Sequence, residues 1–138
     1  FKLDNLILDS ATLAPRAVVD WDMASRGDPL FDLATLLSYW AQADDPPCMH
    51  DIQQMPTAQP GFYTRAQMLA AYANRTSRDV SNFRFHRILA MFKLGVVYLQ
   101  LGAQWRRGAT NDPRFERFTR LGSDLLEFTH EIVRGRAD

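Results

Sequence analysis

Three groups of oxygen-bearing side chains mark where this sequence could do chemistry. Asn5 follows Asp4 at the head of the first apolar run. Val19-Asp20-Trp21-Asp22 sets two carboxylates at the end of the second run. Gly27-Asp28-Pro29-Leu30-Phe31-Asp32 opens a helical pattern. If the two apolar runs pair antiparallel, the start of one strand lies beside the end of its partner, and Asn5 meets Asp20. One amide oxygen and one carboxylate make a sparse oxygen site. Mg²⁺ suits such a site, because it keeps several waters and takes phosphate oxygens as further ligands. On residue type alone, an aspartate at a strand end serves more often as a turn or cap residue. Asp32, in a first helical turn, reads equally as a partner for the helix dipole. Asp28, just before a proline, is explained by N-capping.

The elements that must position these groups are legible in outline. Asn5-Leu6-Ile7-Leu8-Asp9 and Ala17-Val18-Val19-Asp20 predict a hairpin, with turn residues from Ser10 to Arg16 between them. Leu30, Leu33, Ala34, Leu37, Trp40 and Ala41 fall at helical spacing behind Asp28-Pro29 and predict a helix to about Ala43. The stretch from Asp44 to Gly61 carries Pro46, Pro47, Pro56 and Pro60 and reads as an irregular surface loop. Cys48, His50 and Asp51 fall within it as solvated residues, too few for a four-ligand zinc site. Thr64-Arg65-Ala66-Gln67 is a capping box for a short helix to about Arg75. A long helix follows from about Ser81 to Arg107, its apolar middle (Ile88, Leu89, Met91, Phe92, Val96, Leu99) forming the spine of the core. His86 and His130 lie in helices with no metal-spaced partner. Asp112-Pro113 starts a last helix to about Arg134. The expected fold is mainly α with a small β-hairpin (α+β), a single domain over 1–138 divided into a hairpin, 1–22, and a helical part, 28–138.

Composition narrows the function classes. The 138 residues carry 16 Lys plus Arg against 16 Asp plus Glu, a net charge of zero. A general nucleic-acid binder or a membrane-surface binder would need an excess of positive charge. The apolar run Leu94–Leu101 is too short to span a bilayer. One cysteine, Cys48, forms no internal disulfide and fits a reducing, cytoplasmic setting. The chain opens on Phe1 rather than Met, and so is expected to be a piece of a longer protein.

In order and together, Phe1-Lys2-Leu3-Asp4-Asn5-Leu6-Ile7-Leu8-Asp9, Val19-Asp20-Trp21-Asp22 and Gly27-Asp28-Pro29-Leu30-Phe31-Asp32-Leu33-Ala34 resemble the C-terminal lobe of the aminoglycoside phosphotransferase family, the kinase-like fold shared with choline kinases. The resemblance is specific from Phe1 to about Trp40. It implies a phosphotransferase that moves the γ-phosphate of ATP to a small-molecule hydroxyl. Asn5 and Asp20 would hold Mg²⁺ on the ATP phosphates, Ile7 would lie under adenine, and Val19 would line the same pocket. Asp32 would brace the catalytic loop by accepting from its backbone, and Asp22 would be a second ligand, a substrate contact or a surface residue. A family His-Gly-Asp triplet would end immediately before Phe1. The general base and the N-lobe, the expected partner within the same protein, would therefore lie upstream, and this chain alone is expected to be inactive. The helical part from Phe62 to Val133 lacks an acidic cluster for a polycationic aminoglycoside. It is also similar to kinase-like domains fused to certain acyl-CoA dehydrogenases, which implies an uncommon hydroxylated substrate.

Two other readings compete. A non-catalytic pseudokinase or helical interaction module would have no need of both Asn5 and Asp20. A nucleotide-sugar transferase reading of Asp20-Trp21-Asp22 would leave Asn5 and the Gly-Asp-Pro string unexplained.

Overall fold

The computed structural model describes residues 2–22, 24, 26–52 and 54–137. A 3₁₀ turn, Leu3–Asn5, leads into β1 (Leu6–Leu8), which pairs antiparallel with β2 (Pro15–Val18). The register sets Leu6 opposite Val18 and Ile7 opposite Ala17, then slips so that Leu8 faces Pro15. The second strand therefore lies two residues earlier than the sequence suggests, and Val19 and Asp20 fall beyond its end. The cause is the turn. The Asp9 carboxylate collects the amides of Ala11 (3.1 Å) and Thr12 (2.9 Å), the Thr12 hydroxyl and the Arg16 guanidinium (2.7 Å). Leu13, in the left-handed region at φ 58°, closes the reversal. All of β2 is exposed, and the hairpin contacts chiefly itself. Leu3, ahead of β1, packs on the helical core.

The helical part begins at α1 (Pro29–Ser38), capped by Asp28, whose carboxylate accepts from the Leu30 amide at 2.9 Å. Its apolar stripe is buried with Trp40, Met55, Phe83 and Ala90. The expected loop over 44–61 holds a helix instead, α2 (Pro47–Ile52). Cys48, Met49 and Ile52 on it are buried in the main core, so Cys48 is a packed residue and not a solvated one. Proline at the first helical position starts this helix rather than breaking one. Three apolar side chains on one face give it a reason to exist.

A polar knot joins these pieces. Arg65, at the head of α3 (Arg65–Thr76), forms a two-armed ion pair with Asp45, its Nη2 2.7 Å from Oδ1, with both side chains almost fully buried. Arg65 also donates to the carbonyl of Trp40, and Asp45 accepts from the amide of Gln42 at 2.7 Å. The Thr64–Gln67 capping box forms as the sequence predicts.

The remaining core is α4 (Phe83–Arg106) against α5 (Phe118–Val133), the latter entered through a 3₁₀ segment, Pro113–Arg117, rather than starting as α-helix at Pro113. Met91, Leu94 and Tyr98 of α4 meet Leu121, Leu125 and Phe128 of α5. The α4 spine is one-sided: Leu89 and Phe92, expected in the core, are 42% and 52% exposed. By length and apolar composition α4 could cross a bilayer, which the run Leu94–Leu101 alone does not reveal. In this fold α1 and α5 pack against it.

The helices touch at glycines. A Cβ on Gly122 would come within 2.8 Å of the Leu99 amide nitrogen and 2.9 Å of the Gly95 carbonyl, both backbone atoms that cannot step aside. Gly122→Ala is expected to lower stability by about 1–3 kcal/mol, the cost of overpacking, read as a fall in Tm. Gly27→Ala, with nothing within 4 Å, should stay within about 0.5 kcal/mol of wild type. Asp45→Ala strands a buried guanidinium and should cost about 3–5 kcal/mol in chemical denaturation, whereas Asp45→Ala with Arg65→Met should recover most of that loss.

Candidate functional site

The structure brings Asn5 and Asp20 together across the open end of the hairpin. The Asn5 side-chain amide donates to Asp20 Oδ2 at 3.2 Å. Two backbone features set this contact. The Val19 amide donates to the Asn5 carbonyl at 2.9 Å, adding one rung beyond the strands. Asp20 then turns into the left-handed region at φ 64°, a conformation that Asp tolerates better than most residues. The Trp21 indole N–H donates to the Val18 carbonyl at 2.7 Å, pinning the chain as it leaves the strand although the ring is 66% exposed.

The donor set fits a hard cation of few protein ligands. One carboxylate and one amide oxygen supply two positions, and rotating the Asn5 amide would present its oxygen in place of the N–H. Among the described residues no cluster of three His, Cys, Asp or Glu side chains offers a fuller metal cage. Asp20 faces solvent, leaving room for water and phosphate oxygens. Ile7 and Val19 expose apolar side chains on the same hairpin, at 50% and 40%. Asp22 is exposed beside the site. Asp32 lies one turn into α1, exposed, and makes no hydrogen bond or ion pair among the described residues. The structure thus joins Asn5 to Asp20, sets Ile7 and Val19 on the same hairpin, and leaves Asp32 unattached to it.

Cys48 plays no part in this site. Burial pushes its thiol up to about 11, which keeps it protonated and unreactive. His50 and Asp51 lie on α2 beside it, half-buried and exposed. The apolar groove between α4 and α5, about 390 Å³, is lined by Phe85, Leu89, Phe92, Leu126 and Val133 and by neither Asn5 nor Asp20.

Two residues were missed. Asp9 builds the turn, yet in the sequence it reads only as a strand end. The local signal, Asp-x-x-Thr with Arg16 beyond, was available as an Asx-type turn. The second is His86, which by its place in a helix with no metal-spaced partner reads as a packing or surface residue. Its Nε2 lies 3.1 Å from Asp28 Oδ2 and its Nδ1 3.1 Å from the Asn82 carbonyl. The Leu30 amide, and then His86, hold the Asp28 carboxyl below the ordinary carboxylate range. No local spacing announces a pair 58 residues apart.

The sequence profile described as the phosphotransferase enzyme family matches residues 1–70. Acyl-CoA dehydrogenase family member 11 of Mus musculus is 31% identical over 101 residues, covering 70% of this chain. Acyl-CoA dehydrogenase family member 10 of Mus musculus is 25% identical over 135 residues, covering 96% of it. The matches span only 13% and 12% of those two proteins. No solved structure matches the chain.

The turn carries a pH signature. The Arg16 guanidinium, then the Thr12 amide, lower the Asp9 carboxyl from 3.8 to about 2. A depressed carboxyl contributes stability that is complete above the unfolded value of 3.8 and is lost as pH falls through about 2. The Thr12 amide resonance should follow that midpoint in an NMR titration. Arg16→Ala should move the midpoint upward, toward 3.8.

Proposed function

The chain belongs to the phosphotransferase enzyme family, and from that premise we propose that it is the metal-facing lobe of an enzyme that moves the γ-phosphate of ATP to a hydroxyl of a small molecule. The observation that carries this reading is the Asn5–Asp20 contact at the mouth of the hairpin. Mg²⁺, when bound, would neutralise phosphate charge. The chain's own residues position and exclude. Asn5 and Asp20 hold oxygen ligands at a fixed separation on a strand end. Ile7 and Val19 offer the apolar surface on which an adenine ring lies. Asp32, whose carboxylate bonds to none of the described residues, is left to brace the part of the catalytic loop ahead of Asn5, and Asp22 stands at the edge, free to meet substrate. Phosphoryl transfer needs little covalent chemistry from the protein and much positioning, so few side chains suffice.

The general base and the lobe that covers ATP belong, in this reading, to the sequence ahead of Phe1. The N-lobe is then the partner of the exposed hairpin. Zero net charge supports a role without nucleic acid or a membrane surface. A protonated, buried thiol as the single cysteine is compatible with a cytoplasmic setting. The retained pair of Asn5 and Asp20 favours an active enzyme over a non-catalytic module. The acceptor is proposed to be an uncharged or weakly charged hydroxylated molecule, not an aminoglycoside.

In a protein that joins this chain to an N-lobe, Asp20→Ala and Asn5→Ala should each lower ATP turnover at least about 100-fold, as expected when a developing charge loses its support. Tm should stay near wild type, because both side chains sit at an open strand end. Asp51→Ala, on the outer face of α2, should turn over normally. An Asp20→Ala enzyme with full turnover would end the metal assignment.

A further inference from the structure

The hairpin that carries Asn5 and Asp20 has few packing contacts with the helices. Its orientation is set by its two covalent exits. One is the 3₁₀ turn, where Leu3 packs on the core and Lys2 donates to Gln54 at 3.2 Å. The other leads from Asp20 toward Asp28, a segment of which residues 20–22, 24 and 26–28 are described. Its near end is fixed by the Trp21–Val18 bond and by the Ala24 amide donating to the Trp21 carbonyl at 2.9 Å. At its far end, Asp28 caps α1 through Oδ1 and meets His86 through Oδ2. His86 is 7% exposed on the long helix, among buried Phe83, Arg87 and Ala90.

We propose that His86 is a positioning residue for the metal-facing hairpin: from the long helix it grips the N-cap aspartate of α1, and so fixes the segment whose other end is Asp20. The inference rests on the proposed function for its purpose, and on geometry alone for the grip. The imidazole donates from Nε2 to Asp28 in the Nε2–H tautomer and in the doubly protonated form. A second contact on the carboxylate restrains its direction, which the Leu30 bond alone leaves free to swing. The other groups facing the pair are the Asn82 carbonyl on α4 and the Arg78 charge near Asp28. Capping accounts for Asp28 as a helix start. It does not account for a buried histidine brought to it from across the fold.

NMR of the 138-residue chain tests the grip without any activity. The Asn5 side-chain amide reports the contact with Asp20, and exchange of the Ala24 amide reports order in the connecting segment. His86→Phe should shift the Asn5 side-chain resonance toward that of a free amide and speed Ala24 exchange about tenfold, with Leu94 and Leu125 amides unchanged. His86→Gln, whose side-chain N–H₂ can still donate, should restore both. Should Phe at 86 prevent folding, Asp28→Ser decides, since serine keeps the cap but is too short to reach His86. It should loosen the same two probes. Unchanged Asn5 and Ala24 signals, or an equal loosening of α4 and α5, would overturn the proposal. Turnover of Asp20→Ala in the longer protein bears on the phosphotransfer reading alone, so the two ideas fail separately.

Discussion

The fold depends on how closely α4 and α5 approach. Gly95 and Gly122 face one another with no side chain between, so that backbone of one helix lies against backbone of the other. Close-packed interiors leave no slack for an added methyl group at such a crossing. The approach draws Met91, Leu94 and Tyr98 onto Leu121, Leu125 and Phe128, with Cys48, Met49 and Ile52 of α2 filling the side. It also fixes the opposite edge of α4, where α1 docks with Phe83 and Ala90. The cap of α1, and with it the exit of the hairpin that leads there, hangs from that edge.

The Arg65–Asp45 pair does a different job. A buried ion pair stabilises little relative to apolar side chains of the same volume, because both charges leave water. Its value lies in direction. The two-armed geometry accepts only one placement of the α3 N-terminus against the end of α1, and the Trp40 and Gln42 contacts extend that placement along the chain. Apolar packing alone would allow the short α3, whose buried side chain is chiefly Arg65, to slide.

What could be read from the sequence was local. Asp28-Pro29 and Thr64-x-x-Gln67 announce helix starts because a cap is satisfied within three residues, and both stand where expected. The α+β class followed from the same signals, as did the meeting of Asn5 with Asp20, which antiparallel pairing requires. The failures were of two kinds. Pro46, Pro47, Pro56 and Pro60 outweighed Cys48, Met49 and Ile52, so α2 read as loop, although proline at a first helical position is an opening and not a break. The ties Asp45–Arg65 and Asp28–His86 join residues 20 and 58 apart, and no periodicity carries that information. Leu89 and Phe92 show the converse: apolar pattern predicted burial, but the groove beside them leaves both open.

The candidate site combines exposure with restraint. Asn5, Asp20, Ile7 and Val19 occupy a hairpin that buries almost nothing of its own, and a two-stranded hairpin is marginal in isolation. Besides Leu3 at its start, polar devices hold it: Asp9 with Arg16 at the turn, Val19 on the Asn5 carbonyl at the mouth, and Asp28 with His86 beyond. Hydrogen bonds and ion pairs fix angle where hydrophobic contact would fix only proximity. On the proposed reading, a surface that accepts phosphate oxygens and water has no use for a buried apolar floor, which would raise the cost of bringing charge to it. The same open hairpin leaves its apolar side chains free for a covering element. An arrangement stiff in direction and bare of cover suits the proposed role of a lower lobe that holds a ligand against an upper one.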